Sequence, residues 1–201
     1  MIKGIYEFIS EAQLKKYAEL AVRAGVNLQK NQLLIIHSDI QNAAFARLIQ
    51  TAAYEAGASN VFIDWTDEQS TKEFYLHAAD SAIDHFPDWQ AARFKEWDDA
   101  GAAYIHIISE NLDVFKEVST ERISRFQKAS RTKLKDYHAK IRSHEVRWCL
   151  LAVPYVAWAT KVFPNLSKEE AIQSLWELIL KGSRADRSEE HTSELQSPLD
   201  I

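Results

Sequence analysis

The sequence predicts an α/β domain of three layers, with a mostly parallel sheet flanked by helices on both faces. Short apolar runs of strand length, rich in β-branched and aromatic residues, alternate with longer stretches of helical period. Runs that are apolar throughout, rather than alternately apolar and polar, are typical of strands buried on both faces. Right-handed crossovers between parallel strands then place helices on both sides of the sheet.

The first helix and the first strand lie in the first forty residues. Leu14, Tyr17 and Ala21 recur at helical spacing, and Gly25 follows as a stop signal. The apolar run at 33–37 then has the length of a strand.

A second helix and strand follow in the same order. Residues 41–56 return to helical period through Phe45 and Ile49, and Gly57 closes this helix. The run at 61–65 combines β-branched and aromatic residues and is predicted as the second strand.

The middle of the chain is predicted to contain two helices, then a strand, then a long helix. Helices are predicted at 67–78 and 88–100, the second closed by a glycine. The third strand is predicted at 104–108, and one continuous helix at 120–142.

The last elements are a strand at 146–152, stopped by a proline, then a short helix and a longer one. Ser167 and Glu170 have the spacing of a capping box before the longer helix. Its apolar stripe consists of Ala171, Leu175, Trp176 and Ile179. We expect the stripe to dock on the domain, with Trp176 or its neighbours partly exposed where a further domain would cover them.

Composition limits the function classes. The formal charge is −5, of which −3 lies in residues 187–201, so the body is nearly neutral. We therefore expect no nucleic-acid partner and no membrane partner. A single cysteine, Cys149, excludes an internal disulfide, and its apolar surroundings predict a buried thiol. The N-terminus has no secretory signal pattern, so we expect a cytoplasmic protein.

Known catalytic motifs are absent from the sequence. No strand is followed by G-x-G-x-x-G, and no G-x-x-x-x-G-K-[ST], H-E-x-x-H or G-x-S-x-G occurs. Residues 143–145, S-H-E, cannot place two metal ligands on one helix face. We therefore assign no catalytic, cofactor-binding or metal-binding residue in this chain.

Two histidines and two aspartates lie at predicted strand ends, where open α/β sheets bind ligands. His37 and His106 could face such a crevice, although a packed histidine with a backbone partner is the favoured interpretation. Asp64 and Asp67 flank the end of the second strand. Asp67 is expected to cap the next helix, which requires no catalytic role.

Four segments resemble the N-terminal half of the aminopeptidase T family, peptidase family M29. They are Y-A-E-L-A-V-R-A-G-V-N-L-Q-K at 17–30, E-A-G-A-S-N-V at 55–61, I-D-W-T-D-E at 63–68, and W-C-L-L-A-V-P followed by V-F-P-N-L-S-K-E-E-A and L-W within 148–176. Taken in order they are fairly specific, and the resemblance runs from about Leu14 to Asp186.

The resemblance implies a metal-dependent aminopeptidase that removes N-terminal residues from peptides. Its cofactors would be two divalent ions of the zinc, cobalt or manganese type, and the full-length protein would act on peptides as a homodimer. The family's Glu, His and Asp ligands, with a catalytic Tyr and Glu, lie in a C-terminal domain that has no counterpart here. The fragment itself is therefore expected to be inactive and to bind no metal.

Residues 187–197, R-S-E-E-H-T-S-E-L-Q-S, have no packing pattern and match the translation of a widely used sequencing adapter. We therefore divide the chain into a domain at 1–186 and an artefactual tail at 187–201. On this interpretation Glu189, Glu190 and His191 are not metal ligands. The alternative function is a non-catalytic α/β module for ligand binding or dimerisation, which a genuine stop codon near residue 186 would favour.

Overall fold

The centre of the molecule is a four-stranded sheet in which all neighbouring strands run parallel. A computed structural model describes residues 5–109, 113–143 and 145–185. The strands are β1 (Leu33–Asp39), β2 (Asn60–Thr66), β3 (Ala103–Ile108) and β4 (Trp148–Ala152), in the order β2-β1-β3-β4. The predicted α/β class and parallel sheet are confirmed, with strand ends shifted by one or two residues.

Helices precede the first strand, connect the strands and follow the last one. In chain order they are α1 (Glu11–Leu20), α2 (Ala43–Glu55), α3 (Glu68–His77), α4 (Asp80–Ile83), α5 (Asp88–Asp99), α6 (Thr120–Lys133), α7 (Lys135–Arg142), α8 (Val156–Val162) and α9 (Lys168–Ser183). Short 3₁₀ turns lie at Ile5–Phe8 and Ile40–Asn42, and a π-helical turn at Ala21–Gly25 extends α1. The four-residue helix α4 was not among the predicted elements.

The two faces of the sheet have different cores. Leu34 and Ile36 of β1 belong to an apolar core shared with α1, α2 and α9. Ile35, one residue along and therefore on the opposite face, belongs to an aromatic core with Trp97 of α5 and Tyr137 of α7. The predicted arrangement of helices on both faces is therefore confirmed.

Helix ends follow the predicted capping chemistry. The Asp67 carboxylate accepts a hydrogen bond from the backbone N–H of Gln69 and caps α3. Ser167 and Glu170 form a capping box at the start of α9. The α9 stripe docks as expected. Of the residues predicted to be partly exposed, the neighbours Leu178 and Ile179 are so, whereas Trp176 is not. Its side chain is 1% exposed because residues of the N-terminal turn, including Tyr6, pack against it.

The single helix predicted at 120–142 is wrong, since α6 and α7 are separated at Leu134. There the backbone has ψ of 22°, outside the helical range. Leu134 and Tyr137 are both buried in the aromatic core under α5. Periodicity could not locate the break because the packing of these two side chains sets it.

Cys149 packs against the apolar core but is half-buried, and not fully buried as predicted. Burial raises the pKa of its thiol to about 11. A Cβ placed on Gly25 would lie 2.8 Å from the Cys149 Sγ, so a larger residue there would force the Cys149 side chain or the π-helical turn to shift.

Candidate functional site

A group of polar side chains lies near the carboxyl ends of β1, β2 and β3. His37 is aligned with Asp64 of β2 on one side and with His106 of β3 on the other. Strand order reverses between β1 and β3, and this is where open parallel sheets commonly bind ligands. We call His37, Asp64, Arg93 and His106 the histidine cluster.

Hydrogen bonds in the histidine cluster converge on Asp64. The His37 Nδ1 lies 3.1 Å from Oδ2 of Asp64, and because a carboxylate only accepts, the ring donates from Nδ1. Arg93 of α5 binds the same carboxylate with both terminal nitrogens, at 2.9 Å to Oδ1 and 3.1 Å to Oδ2. This paired geometry is the strong form of an arginine–carboxylate contact.

Aromatic rings enclose His37. Its ring lies 4.6 Å from that of His106 and 5.9 Å from that of Tyr104, in each case nearly parallel to it. Burial, helped by the neighbouring His37, lowers the pKa of His106 to about 3, so this imidazole is neutral at physiological pH. Among the described residues, the Nε2 atom of His37 is buried and has no hydrogen-bond partner.

The cluster balances its charge internally. Arg93 neutralises Asp64, Asp64 orients His37, and His106 is uncharged. No hydroxyl or thiol nucleophile is hydrogen-bonded to His37 in the described part of the chain. The His37 ring is packed against other rings, but its hydrogen-bond partner is the Asp64 side chain and not the backbone atom that we expected. Arg93 was missed because nothing in the sequence connects a helical arginine with that carboxylate.

Metal binding has little support in residues 5–109, 113–143 and 145–185. They contain no group of three or more His, Cys, Asp or Glu side chains that could hold an ion. Ser143 donates a hydrogen bond of 2.6 Å to Glu145, and His144 between them lies outside the described residues. The tail, with Glu189, Glu190 and His191, is also outside them, so its origin stays a prediction.

The opposite, amino-terminal edge of the sheet has a cavity of about 320 Å³. Its lining includes Gln32, Asp98, Lys140 and Arg147. The Lys140 Nζ lies 3.3 Å from an Asp98 oxygen, so these two charges of the cavity are paired.

Comparison with known families gives a match over most of the chain. The model of the family described as thermophilic metalloprotease (M29) matches residues 10–194. The match covers the sheet and its helices and reaches into the segment that we interpret as a tail.

Curated relatives are aminopeptidases. The chain is 40% identical over 174 residues to aminopeptidase AmpS of Bacillus subtilis, covering 87% of this chain and 42% of AmpS. It is 38% identical over 179 residues to aminopeptidase 2 of Geobacillus stearothermophilus, covering 89% and 43%. Among solved structures, wild-type AmpT from Thermus thermophilus superposes with a TM-score of 0.77 at 30% identity, covering 84% of this chain and 43% of AmpT. The chain thus spans less than half the length of these relatives.

Proposed function

We propose, from the premise that this chain belongs to the thermophilic metalloprotease family M29, that it is the N-terminal part of a metal-dependent aminopeptidase. The whole protein would release N-terminal amino acids from peptides. The proposal rests on the agreement between the family match and the curated relatives. These relatives are named aminopeptidases, and the chain covers 42–43% of their length.

The described residues do not offer a binding site for the metal ions that this activity would need. These contain no group of three or more side chains that could hold an ion, and the carboxylate of the histidine cluster is occupied by Arg93. We therefore propose that the ligands of a two-metal site, of the zinc, cobalt or manganese type, belong to the part of the relatives that this chain lacks. The chain would contribute a scaffold for that part and no group that binds metal.

Peptides are the proposed substrates, and the proposed full-length protein is a cytoplasmic homodimer. No helix in the described ranges is long and apolar enough to cross a membrane. A non-catalytic α/β module is the outcome that remains if the gene ends near residue 186.

The test compares this 201-residue chain with the product of the complete gene, recovered by sequencing across residue 186. Each protein is stripped with a chelator, loaded with zinc, cobalt or manganese, and assayed on an aminoacyl-p-nitroanilide. We expect metal-dependent release by the complete protein and no release above background by the 201-residue chain. Metal-dependent turnover by the short chain, or an authentic stop codon at the junction, would contradict the proposal.

A further inference from the structure

A pocket on the outer side of α6 and α7 is lined, among the described residues, only by basic side chains. Its volume is about 210 Å³, and its lining consists of Arg131, Lys135, His138 and Arg142. These residues recur three or four positions apart, so they lie on one side of the two successive helices. We call them the basic pocket.

Several other basic residues of the same helices are paired with carboxylates, unlike those of the pocket. Lys133 pairs with Asp88 at 2.5 Å, and Lys140 pairs with Asp98 at 3.3 Å. Within the described chain, no ion pair is formed by Arg131, Lys135 or Arg142. Three unpaired cations thus converge in a protein whose formal charge is −5.

The pKa of the fourth residue of the pocket, His138, reflects the nearby positive charges. Burial, and then the nearby charges of Arg142 and Arg131, lower the pKa of its imidazole. The ring is therefore neutral at physiological pH and contributes hydrogen-bonding nitrogens rather than a fourth charge. Clustered like charges raise the free energy of the folded protein, and a bound anion would relieve that repulsion.

We propose that the basic pocket binds a small ligand bearing phosphate groups. Two guanidinium groups and an ammonium group supply the planar donor pairs and the point charge that recognise phosphate oxygens. The volume is below that of pockets for drug-sized molecules and suits a compact polyanion. This inference is independent of the proposed peptidase activity, since the pocket lies wholly within the present chain.

Pyrophosphate is the probe, titrated calorimetrically into the 201-residue chain at low ionic strength. The variant Arg131→Gln/Lys135→Gln/Arg142→Gln removes three charges from the pocket. Its matched control, Arg23→Gln/Lys30→Gln/Lys168→Gln, removes three exposed charges elsewhere. We expect the pocket variant to bind at least about tenfold more weakly than the wild type, and the control to bind within about twofold of it. Equal losses in both variants, or no binding by the wild type, would overturn the proposal.

Proton NMR of His138 locates the binding independently of affinity. A bound polyanion stabilises the imidazolium, so pyrophosphate should raise the pH at which the His138 resonance titrates. The exposed His77 serves as the internal control and should not move. Vesicles containing phosphatidylglycerol form a separate arm of the experiment. Binding to vesicles without binding to pyrophosphate would assign the pocket to lipid headgroups and overturn the proposal of a small soluble ligand.

Discussion

The histidine cluster and the basic pocket are two charged regions of one domain that differ in whether their charges are paired. In the histidine cluster, Asp64 and Arg93 neutralise each other behind aromatic rings. In the basic pocket, Arg131, Lys135 and Arg142 are exposed and have no acidic partner in the described chain. We infer from this difference that the first region stabilises the fold, whereas the charge of the second is available to a ligand.

The largest effect that would test this contrast is expected at Asp64. Asp64→Asn leaves the Arg93 guanidinium without its carboxylate, and we expect the free energy of unfolding to fall by about 2–3 kcal/mol. Urea denaturation measures the change. Glu11→Gln, which breaks an exposed pair with Lys15, is the control and should leave the midpoint unchanged. Similar losses in the two variants would mean that the cluster does not serve the fold as we infer.

An intermediate effect is expected from acidification. The folded pKa of His106 is about 3, below its ordinary value of 6.5, so between these values the unfolded chain binds a proton that the folded chain does not. Stability present above pH 6.5 is therefore lost as the pH falls, by roughly 1 kcal/mol per pH unit below about pH 6.

Urea denaturation of wild type and His106→Phe between pH 7 and pH 5 isolates this contribution. The variant lacks the titrating ring, so its stability should depend less steeply on pH. Parallel pH profiles for the two proteins would show that His106 is protonated without difficulty in the folded state.

The smallest effect is expected at the basic pocket. Arg142→Gln removes an exposed, unpaired charge and should change the free energy of unfolding by no more than about 0.5 kcal/mol. Arg93→Gln is the same chemical change at a paired site and should destabilise the protein clearly more. If the two arginine variants were equally destabilised, Arg142 would have a structural partner and the contrast between the regions would fail.

The fold was largely predictable because its strands and helices are local patterns. Apolar runs such as 104–108, and the capping residues Asp67 and Ser167, act within a few residues of sequence. The break at Leu134 was not predictable, since it depends on packing against a distant part of the chain.

The two charged regions were less accessible to sequence reasoning. His37, Asp64 and His106 were recognised as residues near strand ends, but their alignment across three strands depends on the sheet order. The basic pocket was hidden by the nearly neutral charge of the body, which averages over paired lysines such as Lys133 and unpaired arginines such as Arg131. Only the structure separates the two kinds.

The position of β1 at the centre of the sheet also sets the order in which the chain can fold during synthesis. Two parallel strands cannot be joined by a hairpin. A strand can therefore pair with its parallel neighbour only after the whole crossover connection between them has been synthesised. The first neighbour of β1 is β2, which begins at Asn60, and the second is β3, which begins only at Ala103. The last strand, β4, begins at Trp148. Because such long-range pairings form slowly, the nascent chain exposes one edge of β1 until more than half of the domain has left the ribosome. Nascent chains that end before β3 should therefore need a chaperone more than chains that end after it.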